Sequence, residues 1–185
     1  MAKQKLKNRT TPMELFFFAL VFAGLIAAVV GLFVNFITTR VQFANDILET
    51  SNAITNPLFS DMSKILEDFK NAVTGLNQNT VHTFSAMQAF GIITIIGVAA
   101  TLVMSILKVL TDWKLMKLLL IIVGVLTLAS AIISLVLIYT YVPVDLGDIA
   151  GSIVTFKSVP AVGGWLVTIG GIVGGASGLF CSFTR

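Results

Sequence analysis

The chain has one cysteine, Cys181, and one histidine, His82. A single cysteine excludes an intrachain disulfide, a cysteine-based metal cluster and any extracellular fold that depends on disulfide staples. A single histidine, with no other His or Cys near it in sequence, gives this chain no metal site to build alone. Charge is scarce as well, since only 11% of the 185 residues are Asp, Glu, Lys or Arg. No phosphate loop, nucleophile elbow or zinc-protease motif occurs. Glu14, Glu49, Glu67 and Asp68 make no recognisable acid–base pair with His82. These absences predict a protein that is not an enzyme and carries no cofactor or metal of its own.

What is abundant is apolar surface. Hydrophobic residues make up 56% of the chain and the mean hydropathy is +0.96, a balance that belongs to polytopic membrane proteins. The pI near 9.2 does not point to nucleic acid, because the basic residues are dispersed and no basic stripe is interleaved with aromatics.

The predicted fold class is an all-α integral membrane protein, a single polytopic domain over residues 1–185. Its four transmembrane helices fall at about 13–38, 89–110, 115–140 and 161–182. An outer helical region of about 41–87 lies between helices one and two, and an outer loop of about 142–160 between helices three and four. The run from Leu15 to Thr38 is too long for a signal-peptide core and reads as a signal anchor. Basic residues set the orientation: eight Lys or Arg flank the spans on one side, against four on the other beside seven of the nine acids. Both termini are therefore expected in the cytoplasm, with the protein in the plasma membrane. Glu14, Lys108 and Lys117 sit at inner helix ends, where they are expected to snorkel. The spans otherwise lack ionisable groups, which argues against proton relays, ion-coupled transport and voltage sensing.

The outer region carries one well-marked amphipathic pattern. Asn56 suits an N-cap, Pro57 the first helical position, Asp61 the first turn and Gly75 the C′ position. Between them Leu58, Met62, Ile65, Phe69, Ala72 and Leu76 recur at helical spacing, opposite Lys64, Glu67, Asp68, Lys70 and Asn71. Leu58, Met62, Ile65 and Phe69 form a partner-docking face or pack on the chain's own helix ends or the bilayer surface. Upstream, Val34, Ile37, Val41, Ala44 and Leu48 keep a three–four spacing. This predicts that helix one projects outward as far as Glu49. Downstream, Val81, Phe84, Met87 and Phe90 lead into helix two. In the second outer loop, Leu146, Ile149 and Ile153 suggest a short amphipathic turn.

Two lines of small residues are packing faces. Ala19, Ala23, Ala27 and Gly31 repeat every fourth residue along helix one, and Gly170, Gly174 and Gly178 form a GxxxG ladder along helix four. Thr101 and Ser105 share one face of helix two with Gly97.

With four spans, both ends inside and a large first outer loop, the chain resembles claudins in topology. The resemblance covers topology alone. The loop has neither tryptophan nor cysteine and reads as helix rather than strand, and the second loop lacks the cysteines of tetraspanins. No family is assigned. The expected function is that of a non-catalytic accessory or scaffold subunit of a larger membrane complex, with membrane lipids and other integral membrane subunits as partners and no nucleic acid. The alternative is a homo-oligomeric pore, in which copies of this chain pack together and Thr101 and Ser105 face water.

Overall fold

A computed structural model describes residues 11–43, 46–55, 78–111, 114–140 and 154–184. Helix α1 (Pro12–Gly31) starts at a capping box. Thr11 Oγ1 accepts from the Glu14 amide at 3.3 Å, and Glu14 Oε2 accepts from the Thr11 amide at 3.0 Å. This pairing satisfies two of the orphan donors at a helix start, and Pro12 adds none. The helix closes at Gly31, where the Leu32 amide bonds back to the carbonyls of Val29 and Val30.

Beyond it the chain is extended. Strand β1 (Asn35–Phe43) pairs antiparallel with β2 (Asp46–Thr55), from Asn35↔Thr55 to Phe43↔Asp46, with register shifts at Asn35/Ile37 and Thr39/Val41. Strand β3 (Val154–Pro160) pairs antiparallel along the other side of β1, from Ile37↔Pro160 to Phe43↔Val154. The sheet order is β2-β1-β3. The expected helical continuation of helix one to Glu49, and the expected span to residue 38, are corrected accordingly. The four spanning helices of the expected class stand, and the correction falls on the outer segments, where strands occupy 35–43, 46–55 and 154–160. Six of the nine β1 residues are β-branched or aromatic (Phe36, Ile37, Thr38, Thr39, Val41, Phe43), and such side chains suit a pleated surface better than a helix. The three–four spacing from Val34 to Leu48 is incidental to that content. The stripe of Leu58, Met62, Ile65 and Phe69 lies outside the described residues, as does the turn at Leu146, Ile149 and Ile153.

Helix α2 (Gln78–Thr111) is 34 residues long and, at the usual rise, spans about 50 Å. It exceeds a bilayer core, and its apolar part is Ser85–Thr111. Helices α3 (Lys114–Thr140) and α4 (Val162–Phe183) complete the set. All four are long and apolar enough to cross a membrane, the arrangement of a multi-pass integral membrane protein. Their outward faces carry Phe16, Phe22, Ile96, Leu126, Val136 and Ile169, each at least half exposed. Such a belt would be a liability in water and is the expected surface in hydrocarbon.

Helix α4 is the least hydrophobic of the four and the most enclosed, with 56% of its apolar window buried against 22% in α1. Glycine makes this possible. A Cβ on Gly170 would lie 2.5 Å from the Gly24 carbonyl oxygen, and one on Gly24 would lie 2.7 Å from the Gly170 carbonyl oxygen. The α1 and α4 backbones therefore cross in direct contact. Gly31 meets Gly163 in the same way, so the two helices run antiparallel. Gly174 receives Val98 and Gly178 receives the Thr101 methyl, both from α2, while Gly175 faces Gly124 and Leu128 of α3. One glycine-rich helix thus touches three neighbours. Without a hydrophobic drive between helices in lipid, such close approach is the principal source of association.

At the sheet end, Phe36 and Ile37 of β1, Met87 of α2, Ile138 of α3 and Val167 of α4 form one buried apolar cluster, with Ile95 and Leu137 packed against it. The Ala161 amide donates to the Phe36 carbonyl at 3.0 Å. A Cβ on Gly164 would stand 2.6 Å from that same oxygen, so glycine is what lets α4 begin directly under β1.

Candidate functional site

The termini end of the bundle is built from polar groups. Glu14 arrives on the first turn of α1 because the capping box fixes it at the third helical position. Lys108 lies in the last turn of α2, and α4 brings its closing residues alongside. Lys108 Nζ is 3.2 Å from Glu14 Oε1, and both side chains are nearly inaccessible, at 3% and 4% exposure. The same ammonium donates to the carbonyl of Cys181, to the carbonyl of Thr184 at 2.7 Å and to Thr184 Oγ1 at 3.1 Å. Thr184 Oγ1 in turn donates to the Cys181 carbonyl at 2.8 Å and lies 3.4 Å from Glu14 Oε1. One cation therefore joins α1, α2 and the end of α4. Its partners include carbonyls that a helix leaves unsatisfied at its C-terminus, where the macrodipole also favours positive charge. Phe17 of α1 stacks on Phe180 of α4 beside it, with centroids 5.6 Å apart and rings 16° from parallel.

The expectation that Glu14 and Lys108 snorkel is corrected: they turn inward and pair. Two signals in the sequence carried this. Thr11-Pro12-Met13-Glu14 is a T-x-x-E capping box, and Glu14 is the only acid before Asp46. Lys108 is likewise the only ionisable residue between His82 and Asp112. Two lone opposite charges at the same depth of two spans are expected to find each other.

Chemically the cluster is closed. The ammonium has more acceptors than protons, and both Glu14 oxygens are occupied. The cluster acts as a fastener between three helices. Beside it, between α1 and α2, a half-open crevice of about 260 Å³ is lined by Glu14, Leu15, Phe18, Ser105, Ile106, Val109, Leu110 and Cys181, and its walls are almost wholly carbon.

The other residues singled out in the sequence separate into two groups. Gly170, Gly174, Gly178 and Gly31 are buried in contacts within the chain. Ala19 and Ala23 are exposed and Ala27 is half-buried; the face that α1 turns inward is Glu14, Val21, Gly24, Ala28 and Gly31. Thr101 and Ser105 are fully buried. Thr101 Oγ1 donates to the Gly97 carbonyl at 2.8 Å and Ser105 Oγ to the Thr101 carbonyl at 2.7 Å. Thr94 Oγ1 likewise reaches the Phe90 carbonyl at 2.8 Å and Ser130 Oγ at 3.0 Å. His82 is exposed near the start of α2. Among the described residues no three His, Cys, Asp or Glu side chains gather as metal ligands would. Comparison with family models, with curated proteins and with solved structures finds no match to this chain.

Proposed function

We propose that the protein is a non-catalytic accessory or scaffold subunit of a larger membrane assembly, in the plasma membrane with both termini cytoplasmic. The observation that carries this reading is the exposed small-residue line on α1. Ala19 and Ala23 point away from the bundle, flanked by Phe16, Phe22 and Ile26 at 60%, 51% and 50% exposure. Small residues between large apolar ones make a groove into which another helix fits, and close approach of that kind is what drives association in lipid. The chain's own packing does not use this groove, because α4 takes the Gly24 face. The polar cluster at the termini end supports the same reading, since its charges are used to hold three helices together. The same exposed line would also serve copies of this chain in a homo-oligomeric pore, but Thr101 and Ser105, the residues that would line it, face the bundle interior and bond to their own helix.

The test is native mass spectrometry of the assembly extracted in mild detergent, with every polypeptide identified, for the natural chain and for Ala19→Leu/Ala23→Leu. The expected result is different polypeptides in fixed stoichiometry with the natural chain and their loss with the variant, whose thermal stability is unchanged. A closed ring of this chain alone, or partners retained by the variant, would overturn the proposal.

A further inference from the structure

We propose that the Glu14–Lys108 pair sets the rotation of α1 about its own axis. It thereby decides which of two small-residue lines packs on α4 and which is left for a partner subunit. Helix α1 is the least enclosed of the four, with 22% of its apolar window buried. Every residue from Pro12 to Gly31 other than Glu14 is apolar, so no hydrophobic drive distinguishes one face from another in lipid. Two contacts remain to fix the rotation. One is the glycine crossing on α4, at Gly24 and Gly31; the other is the pairing of Glu14 with Lys108 of α2.

The two lines stand one residue apart: Ala23 and Ala27 immediately precede Gly24 and Ala28. One residue is ~100° of helical turn. A rotation by that angle would set Ala23 and Ala27 against α4 and carry the buried Val21 and Ala28 into the exposed places of Phe22 and Val29. Alanine serves at close crossings much as glycine does, and the glycines of α4 leave room for its methyl. What the rotation cannot keep is the pair. It would bring Met13 beside Lys108, leaving the ammonium without its carboxylate and turning Glu14 toward lipid, where a lone charge is expensive. Neither partner is free to follow, because Lys108 is also held by the carbonyls of Cys181 and Thr184 and Glu14 by the Thr11 amide. Glu14 and Lys108 are thus positioning residues for the outward face. The consequence for a partner rests on the reading that Ala19 and Ala23 receive it; the rotation itself does not.

The experiment places the full chain in phosphatidylcholine nanodiscs with a lipid-soluble diazirine. Light converts the diazirine to a carbene that marks lipid-facing residues, and tandem mass spectrometry locates the marks. In the natural chain Ala23, which is exposed, should be marked at least fivefold more than Ala28, which is fully buried. Met13→Glu/Glu14→Gln moves the carboxylate back by one residue while glutamine still serves the capping box. Pairing with Lys108 then requires the rotated helix. Ala28 should now be marked at least fivefold more than Ala23, and polypeptides that co-purify with the natural chain should be lost. Glu14→Gln/Lys108→Met removes both charges and decides the matter if the first variant does not fold, as thermal midpoints report. Its Ala23-to-Ala28 ratio should fall at least threefold. The natural ratio in either folded variant would overturn the proposal and assign the rotation to the glycine crossing alone. A natural chain that brings down no other polypeptide would overturn the subunit reading and the consequence for partners, while the marks still decide the rotation.

Discussion

At the sheet end four elements meet through carbon: Phe36, Ile37, Met87, Ile138 and Val167 pack into one buried cluster, and backbone pairing between β1 and β3 extends the strand layer beside them. At the termini end three segments meet through one ammonium group, with a carboxylate and two backbone carbonyls around it. The two ends resist separation of the same helices by different physics. Apolar packing is lost in proportion to what is removed and is indifferent to which residue supplied the carbon. A buried ion pair behaves otherwise, because removing one partner leaves the other charged and desolvated, whereas removing both restores an apolar interior. The termini end is therefore the brittle one.

The largest effect is expected from Lys108→Met, which strands Glu14 and the Thr184 carbonyl. It should cost about 3–5 kcal/mol, read as a shift of the unfolding midpoint in a denaturing-detergent titration. Phe36→Ala should cost a similar ~3–5 kcal/mol through the cavity it leaves, but no second substitution at its neighbours should restore it. Gly170→Val tests the post between the two ends. With its Cβ set against the Gly24 carbonyl, α1 and α4 must move apart, at about 1–3 kcal/mol, and the same titration should show it. The smallest effect has the opposite sign. Ser134 Oγ is buried with no hydrogen-bond partner, so Ser134→Ala should stabilise by about 1 kcal/mol, visible as a small rise in thermal midpoint.

What the sequence made legible follows the same division. The four spans are carried by length and hydropathy, which need no knowledge of neighbours. The Gly170, Gly174 and Gly178 ladder is a property of one helix and reads correctly for the same reason. On α1 two small-residue lines compete, and spacing alone favours the unbroken one, Ala19 to Gly31. The buried face instead follows alternating steps through Val21, Gly24, Ala28 and Gly31, and what selects it is Glu14, which must face the bundle to find Lys108. That partner is 94 residues away, a separation no local pattern bridges. The outer region misled in another way. Val34, Ile37, Val41, Ala44 and Leu48 fit a helical stripe by spacing, while Thr38, Thr39 and the other β-branched residues of β1 fit a strand by shape. β3 decides between them by pairing with β1 across more than a hundred residues of chain.

The most direct test of the brittle end is a double-mutant cycle between Glu14 and Lys108, using Glu14→Gln and Lys108→Met. Glutamine keeps the capping-box bond to Thr11, since Gln serves at that position as Glu does, so the cycle isolates the charge pairing. The account predicts that each single substitution destabilises and that the double variant recovers more than half of the loss from Lys108→Met. The coupling should be about 2 kcal/mol or more, above the range of exposed pairs. Additive losses, with a double variant as unstable as the sum of the singles, would contradict it and leave the termini end held by packing alone.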